Sequence, residues 1–229
     1  MPLAPLPQIQ PAKTTDMVFD QLYESIISLA LAPGAKISEA EVAGDLGVSR
    51  QPVRDAFFRL SKLGFLSIRP QRATLVTRIS ETAVLRAAFI RTALELACLR
   101  AALPRLTARD LEQLEKDITA QEAASAAGDK AGFHALDDRF HRRICEVAGH
   151  GYAWDLIREH KAHMDRVRFL SLSFGSVDAL DDHRQLLRAM TRGDGREAEE
   201  IMHRHLNRIQ AVTSRLRADH PAYFEEDTA

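Results

Sequence analysis

The sequence predicts a mostly α-helical protein in two parts: a small N-terminal unit with a β-hairpin, and a larger antiparallel bundle of helices. Two observations lead to this fold class. Before residue 80, short helical patterns are followed by two alternating segments typical of strands. From Ser80 onward glycine is sparse, strand signals are missing and apolar residues recur at helical spacing. The chain has 229 residues, 45% of them hydrophobic, which is enough for two domains with buried cores.

The segment from Glu39 to Leu63 has the pattern of two helices joined by a tight turn. Gly47 suits the left-handed residue that ends the first helix, and Ser49 suits the N-cap of the second. The second helix has an apolar face that includes Val53 and Phe57. Its first turns present three polar side chains away from that face: Arg50, Gln51 and Arg54. This layout predicts a helix-turn-helix, whose second helix inserts its N-terminal residues into the major groove of DNA.

A helix before this motif and a hairpin after it complete a winged helix. The segment from Asp16 to Ala30 has an apolar stripe, and Thr15 is its predicted N-cap. The segments 65–68 and 73–77 alternate like two strands on either side of a turn. Arg69 and Arg72 lie in that turn, where they could reach DNA beside the recognition helix.

Basic side chains concentrate around this motif, although the whole chain has a net charge of only −1. Between Leu46 and Ile79, seven basic residues stand against one acidic residue, which is a local charge of +6. Such a surface suits the phosphate backbone of nucleic acid. The alternative is a solvated basic face on an ordinary domain. The turn and cap signals, which come at the right spacing, favour DNA binding.

The run LAPGAKISEAEVAGDLGVSRQPVRDAFFRLSKLGFLSIRPQRATLV resembles the DNA-binding domain of the GntR family of bacterial transcription regulators. The family's SR-x-PVR core matches residues 49–54. The resemblance implies that Arg50 and Arg54 contact bases or phosphates and that Ser49 holds a phosphate. The sequence departs from the family at the wing tip, where Gln71-Arg72-Ala73 replaces the usual glycine-containing run. Because alanine disfavours a positive φ, we expect a differently shaped wing tip.

The rest of the chain predicts an antiparallel helical bundle. Breaks at glycine and proline, among them Gly175, separate the helical segments 81–103, 107–127, 130–148, 151–172, 177–192 and 195–218. The sequence contains no glycine-rich phosphate loop, no nucleophile elbow and no apolar run of membrane-spanning length. We interpret Cys98 and Cys145 as reduced core thiols of a cytoplasmic protein rather than a disulfide.

Four metal-ligating side chains fall on apolar faces of three predicted bundle helices. Asp137 and His141 are four residues apart and share one helix face, while His183 and His205 lie on the stripes of two later helices. Buried polar groups need partners, and one divalent metal ion would satisfy all four. Zn²⁺ is the first choice for this set, and Ni²⁺, Mn²⁺ or Fe²⁺ also suit it. The alternative is that each histidine is a satisfied core residue or a surface residue.

The same residues carry a second resemblance. Asp-x-x-Phe-His at 137–141, Asp-His at 182–183 and His-Leu at 205–206 resemble the FCD domain, the ligand-binding domain of the FadR-type subgroup of GntR regulators. The resemblance covers residues 80–215 and implies that Asp137, His141, His183 and His205 are metal ligands. It also implies a small carboxylate effector on the open face of the metal. The fatty-acyl-binding branch lacks this set, which argues against an acyl-CoA effector.

Arg91 interrupts the apolar stripe of the first bundle helix. A buried guanidinium needs a carboxylate partner. Glu95, four residues further on, could supply it within the same helix. The FCD resemblance implies instead that Arg91 binds the acid effector. The sequence leaves both interpretations open.

Together these patterns predict a cytoplasmic transcription regulator rather than an enzyme. We expect a homodimer on a pseudo-palindromic operator, because dimeric helix-turn-helix proteins match two-fold DNA half-sites. The resemblance implies repression, and we expect the bound acid to lower the affinity for the operator. Two alternatives remain: a metal-dependent hydrolase whose metal activates water, and a constitutive DNA-binding protein with a purely structural metal. The predicted parts are a disordered leader at 1–12, a winged helix-turn-helix at 13–79, an FCD-like effector and metal domain at 80–220, and a tail at 221–229.

Overall fold

Helices make up most of the computed structural model, which describes residues 11–69 and 73–226. Contacts within the chain form two units that divide between Arg78 and Ile79. The predicted fold class is confirmed, because a helix-turn-helix with a small sheet is followed by a bundle of long helices. Among the described residues, no helix has both the length and the apolar composition needed to cross a bilayer.

The N-terminal unit contains the three predicted helices. They are α1 (Pro11–Ile27), α2 (Glu39–Asp45) and α3 (Arg50–Lys62). Thr15 was predicted to cap α1, and this is wrong because the helix begins four residues earlier, at Pro11. Proline suits the first position of a helix, since its φ is already helical and its missing N–H has no partner there anyway. Residues 11 and 12, which were expected in the leader, are therefore helical, and the rest of the expected leader, residues 1–10, lies outside the described part of the chain.

Helices α1 and α3 pack against each other through apolar faces at helical spacing. Val18, Leu22 and Ile26 of α1 are buried, as are Val53, Phe57 and Leu60 of α3. At the edge of this contact Arg59 donates a hydrogen bond of 2.7 Å to Asp16 and lies 4.0 Å from the ring centroid of Phe19. This packing leaves the opposite face of α3 exposed, including its first turn.

A three-stranded antiparallel sheet lies beside these helices. Its strands are β1 (Lys36–Ile37), β2 (Leu66–Ser67) and β3 (Thr74–Val76), in the order β1-β3-β2. Strands β2 and β3 form the predicted wing, whereas β1 was not predicted, because a two-residue strand is too short to show alternation. The wing tip, with Gln71 and Arg72, lies outside the described residues.

The C-terminal unit is a bundle whose helices begin and end close to the predicted positions, with one exception. They are α4 (Glu81–Ala102), α5 (Ala108–Ala126), α6 (Lys130–Val147), α7 (Gly151–Thr191) and α8 (Gly195–Asp219). The break predicted at Gly175 is wrong, because α7 runs through it for 41 residues. A single glycine costs a helix only about 1 kcal/mol relative to alanine. Packing of α7 against α4, α5, α6 and α8 outweighs that cost.

The bundle core surrounds the functional side chains described below. Phe133 and Phe140 of α6 pack with Leu114, Trp154 and Ile201 from the neighbouring helices. Cys98 and Cys145 are buried in the same cluster as free thiols.

Part of the segment predicted as a tail, residues 221–229, packs against the bundle. Phe224 is buried in a cluster with Ile79 and Val84. The backbone N–H of Ile79 donates to the carbonyl of Tyr223 at 2.8 Å, and that of Glu225 donates to the carbonyl of Ile79 at 3.0 Å. A lone apolar residue in a polar stretch has no periodic pattern, so the sequence did not reveal this contact.

Candidate DNA-binding face and metal centre

The start of α3 presents the predicted DNA-contacting residues to solvent. Ser49 precedes the helix in an extended conformation, with φ −70° and ψ 163°. It occupies the predicted N-cap position, but its hydroxyl makes no capping hydrogen bond to the helix backbone. The side chains of Ser49, Arg50, Gln51 and Arg54 are all exposed. The first turn of α3 therefore combines backbone N–H groups, an uncommitted hydroxyl and two guanidinium groups, a combination that suits a phosphate.

The exposed polar residues of α3 make only weak local contacts. Gln51 donates to Asp55 at 2.9 Å, and Arg54 donates to Glu39 of α2 at 3.3 Å. An exposed ion pair of this kind is worth about 0–1 kcal/mol, so a phosphate could replace the carboxylate. Arg50 makes no hydrogen bond or ion pair to other residues that the structure describes. Arg69, at the base of the wing, is exposed, and Arg72 lies outside the described residues.

In the bundle, three helices bring the four predicted metal-ligating residues together. Asp137 and His141 come from α6, His183 from α7 and His205 from α8, and one ligand atom from each lies within 4.8 Å of the others. The three histidine Nε2 atoms form a nearly equilateral triangle with sides of 3.3, 3.3 and 3.2 Å. The carboxylate oxygens of Asp137 lie 3.7 Å from Nε2 of His183 and 3.9 Å from Nε2 of His141.

A second layer of side chains faces the Nδ1 atom of each histidine. Nδ1 of His141 lies 2.5 Å from Glu95 of α4, Nδ1 of His183 lies 2.8 Å from Oε1 of Gln121, and Nδ1 of His205 lies 3.4 Å from Asp182. The side-chain NH₂ group of Gln121 donates a hydrogen bond to the carbonyl of Leu136 at 3.2 Å. This bond orients the amide so that Oε1 faces the imidazole of His183. An acceptor beside each Nδ1 favours the tautomer with its proton there and a lone pair on Nε2.

Burial and charge set the protonation states of this cluster. Asp137, His141 and His183 are at most 1% exposed. Burial alone would raise the pKa of Asp137, but Arg168 and the neighbouring histidines hold it well below its usual value. Burial lowers the pKa of His183 well below its usual value, and it also lowers the pKa of His205. Neutral imidazoles and an ionised carboxylate are the forms that bind a metal ion.

The geometry of the cluster fits a divalent metal. Three imidazole lone pairs that point at one another within 3.3 Å cannot hydrogen-bond among themselves. With metal–nitrogen bonds of about 2.0–2.1 Å, neighbouring ligand nitrogens lie roughly 3.0–3.4 Å apart, which matches the triangle. A side-chain oxygen lies within 3.4 Å of each Nδ1 atom on the outer side of the cluster, the position usual for the supporting residues of metal-binding histidines. The residues present therefore suit a metal bound by three imidazoles and one carboxylate.

Arg91 has the internal partner that one of the two interpretations named, and its binding of an acid effector stays a prediction. Its Nε donates to Oε1 of Glu95 at 2.5 Å within α4. Burial would raise the pKa of Glu95, but Arg91 and His141 bring that pKa down to about 2. Glu95 thus links Arg91 to the imidazole of His141. The Nη2 atom of Arg91 is buried and has no hydrogen-bond partner among the described residues.

A cavity of about 330 Å³ opens beside the cluster, and both Asp137 and His205 contribute to its wall. Arg91 and Arg168 also line it. The guanidinium of Arg168 is held by Asp137, by Asp138 at 3.3 Å and by Asp165 at 3.2 Å. A small molecule in this cavity would therefore lie next to the carboxylate and one imidazole of the candidate metal centre.

The sequence did not predict the second layer or Arg168 as parts of this site. The sequence predicts Glu95 only as a partner for Arg91, and it predicts no role for Gln121. A signal for Gln121 existed, since it continues the buried face of Leu114 and Ile118 at helical spacing. Arg168 follows Lys161 and Asp165 at the same spacing on α7, and all three belong to one buried ion-pair network.

An exposed basic recognition helix on one unit and a ligand cavity in the other define a DNA-binding transcription regulator. Comparisons with known families support this class. Residues 14–76 match the family described as bacterial regulatory proteins, gntR family, and residues 87–208 match the FCD domain. The chain belongs to the GntR family and carries an FCD domain, as the sequence predicted. Members of this family are transcription regulators rather than enzymes, which removes the hydrolase alternative.

Individual relatives agree with this assignment over nearly the whole chain. The HTH-type transcriptional repressor RspR of Escherichia coli K12 is 34% identical over 223 residues, which cover 96% of this chain and 98% of that protein. The probable D-xylose utilization operon transcriptional repressor of Paenarthrobacter nicotinovorans is 30% identical over 193 residues, 82% of this chain and 84% of that protein. The solved structure of E. coli McbR/YncC has a TM-score of 0.73 at 21% identity, covering 91% of this chain and 100% of that one, which shows the shared fold.

Proposed function

We propose that this regulator is a homodimeric repressor whose operator affinity is controlled by a small organic acid bound at a metal site in the C-terminal unit. The observation that carries the proposal is the triangle of Nε2 atoms with 3.2–3.3 Å sides, next to a cavity that Arg91 lines. Repression is supported by the names of two relatives, the repressor RspR of E. coli and the probable xylose operon repressor of P. nicotinovorans.

At the DNA end, the proposed contacts come from the first turns of α3 and from the wing. They are Ser49, Arg50, Gln51, Arg54, Arg69 and Arg72. Exposure of the described members of this set supports the proposal. Two copies of the chain would present two recognition helices to the half-sites of a pseudo-palindromic operator.

At the metal end, the proposed ligands are Asp137, His141, His183 and His205. Zn²⁺ is the first choice for three imidazoles and a carboxylate, and Ni²⁺, Mn²⁺ and Fe²⁺ also suit the set. When bound, the metal supplies a positive centre that attracts an anionic oxygen. Glu95, Gln121 and Asp182 hold the imidazole rings in place, and Arg91 offers a buried N–H group beside the same cavity.

Control of DNA binding requires that the acid bind two arrangements of the dimer with different affinity. We expect the acid to favour an arrangement in which the two winged helices no longer match the operator half-sites. A tenfold loss of operator affinity corresponds to a difference of about 1.4 kcal/mol between the two arrangements.

The test begins with elemental analysis of the purified full-length protein. A thermal-shift screen of carboxylic acids follows, with and without a chelator, and then an operator titration with any acid that binds. We expect about one metal ion per chain and an acid that stabilises only the metal-loaded form and weakens operator binding. A metal whose removal unfolds the bundle, with no acid that changes operator affinity, would show instead a structural metal and constitutive DNA binding.

A further inference from the structure

Resting on the proposed function, we propose that the effector is an acid with one carboxylate and an apolar body, rather than a di- or tricarboxylate or a polyhydroxy acid. The cavity beside the histidine cluster has apolar side chains over most of its exposed surface, and one of its cations, Arg91, has a guanidinium nitrogen without a hydrogen-bond partner among the described residues. Its volume of about 330 Å³ is at the small end of the range of about 300–1,000 Å³ typical of ligand cavities.

The cavity wall is mostly apolar. Its apolar members come from α6, α7 and α8 and include Phe133, Met164, Leu172, Leu206, Ile209 and Val212. Hydroxyl groups or a second carboxylate against such a wall would lose their water without gaining a partner, which is costly. An aromatic ring or a short alkyl chain would gain free energy from the same burial.

Arg91, one of the lining residues, has a buried Nη2 atom without a hydrogen-bond partner among the described residues. This residue is 4% exposed, and only its Nε is used by Glu95. A buried guanidinium N–H without an acceptor is unfavourable, and a carboxylate oxygen is its strongest acceptor. Because Asp137 and His205 line the same cavity, one carboxylate could face the metal centre and Arg91 together.

Two other arginines of the cavity, Arg168 and Arg208, are already neutralised by carboxylates. Arg168 is held by three carboxylates: Asp137, Asp138 and Asp165. Arg208 donates to both oxygens of Asp182, at 2.6 and 2.9 Å. A second carboxylate on the ligand would have to displace one of these internal partners.

The distance along α8 also disfavours a small diacid that bridges the cavity. His205 and Arg215 both line it and are ten residues apart on one helix, about 15 Å at 1.5 Å per residue. Between them α8 contributes four apolar residues and one cation, Arg208, to the wall. Because Arg208 is already paired with Asp182, an acid held at the His205 end extends along the apolar side chains without meeting an unpaired cation on this stretch of α8.

The experiment uses the full-length protein loaded with Zn²⁺ and isothermal titration with matched probes. Phenylacetate and hexanoate are the apolar monoacids, succinate and citrate the polyacids, and phenylacetamide the neutral analogue. We expect phenylacetate or hexanoate to bind at least 10-fold more tightly than either polyacid, and the amide to show no measurable binding. Tighter binding of succinate or citrate overturns this inference while leaving the metal-gated acid site in place.

Two variants test the roles of the wall and of Arg91. Val212→Thr keeps the side-chain shape but replaces one methyl group with a hydroxyl. We expect this variant to weaken phenylacetate binding several-fold without changing the Zn²⁺ stoichiometry. Arg91→Gln should weaken phenylacetate binding by about 10- to 100-fold, because the ligand carboxylate loses its charged hydrogen-bond donor. Unchanged phenylacetate affinity in both variants overturns the assignment of this cavity.

Failure of the proposed function has a different signature. If no acid of either class binds the Zn²⁺-loaded protein, the effector site itself is absent. If phenylacetate binds equally well after chelation, the apolar monoacid cavity is supported and the dependence on metal is overturned.

Discussion

The recognition helix and the candidate metal cluster reach their geometry in opposite ways. Arg50 and Arg54 are exposed, lie within one turn of a single helix, and make few contacts in the free protein. Three side chains of the cluster are buried and that of His205 is partly buried. They come from three helices, and each lies beside a further polar side chain. The geometry of the DNA-binding face thus follows from which side chains one helix exposes. The geometry of the cluster follows from the packing of three helices and from the polar side chains beside its members.

This difference predicts how each site responds to substitution. At the exposed face a single change removes a contact to DNA and leaves the fold intact, because surface substitutions usually alter stability by less than about 0.5 kcal/mol. In the cluster a change affects metal affinity even when the substituted residue is not itself a ligand.

The largest effect is expected for His205→Ala, which removes a proposed ligand from α8. Zn²⁺ affinity should fall by more than about 100-fold, beyond the 10- to 100-fold effect of losing a supporting residue. Competition with a chromophoric chelator measures it. His203→Ala, an exposed histidine two residues away on the same helix, is the matched control and should bind Zn²⁺ normally. Equal affinities for the two variants would show that the histidine cluster is not a metal site.

A smaller effect is expected for Glu95→Gln, which keeps the shape but removes the charge beside Nδ1 of His141. Zn²⁺ affinity should fall by about 10- to 100-fold, because the carboxylate orients the imidazole and increases its basicity. The same competition assay applies. Glu81→Gln, on the same helix and paired with Arg217, is the control and should leave the affinity unchanged. A normal affinity for Glu95→Gln would mean that the second layer has no influence on the metal.

At the exposed face, Arg50→Ala should weaken binding to an operator selected from random duplex DNA by about 1–3 kcal/mol. The reason is the loss of a charged contact to a base or phosphate in the groove. Fluorescence anisotropy measures the affinity, and Zn²⁺ binding should not change. Arg196→Ala removes a 90% exposed arginine from α8 and serves as the control. If both variants bind the operator equally, the recognition helix is not where we place it.

The smallest effect is expected for Ser49→Ala on stability. Replacing an N-cap serine usually costs about 1 kcal/mol, but the hydroxyl of Ser49 makes no capping bond, so unfolding should change by less than about 0.5 kcal/mol. Operator affinity should still fall, by about 1 kcal/mol for one lost hydrogen bond. Thr107→Ala breaks a complete capping box and should cost the full 1 kcal/mol in the same denaturant titration. A stability loss as large as that of Thr107→Ala would show that Ser49 acts as a cap.

Local patterns predicted much of the fold because capping residues and apolar periodicity act over a few residues. Ser80, Thr107 and Asp129 each cap a bundle helix through the side chain, and these helices begin where the sequence indicated. Gly175 misled the prediction, since its local cost is overcome by the packing of the 41-residue helix α7 against its neighbours. Strand β1 and the contact of Phe224 with Ile79 have no local signal and depend on distant partners.

The same division applies to the two sites. The sequence by itself determined the helix-turn-helix and the helix faces that carry Asp137, His141, His183 and His205, because both follow from helical spacing within short segments. Only the tertiary structure decided which side chains lie beside those imidazoles. It also decided that Arg91 both donates a hydrogen bond to Glu95 and lines the cavity. It also decided that Arg168 is neutralised by three carboxylates. Such choices depend on how helices distant in sequence pack together, and a one-dimensional pattern contains no distance between them.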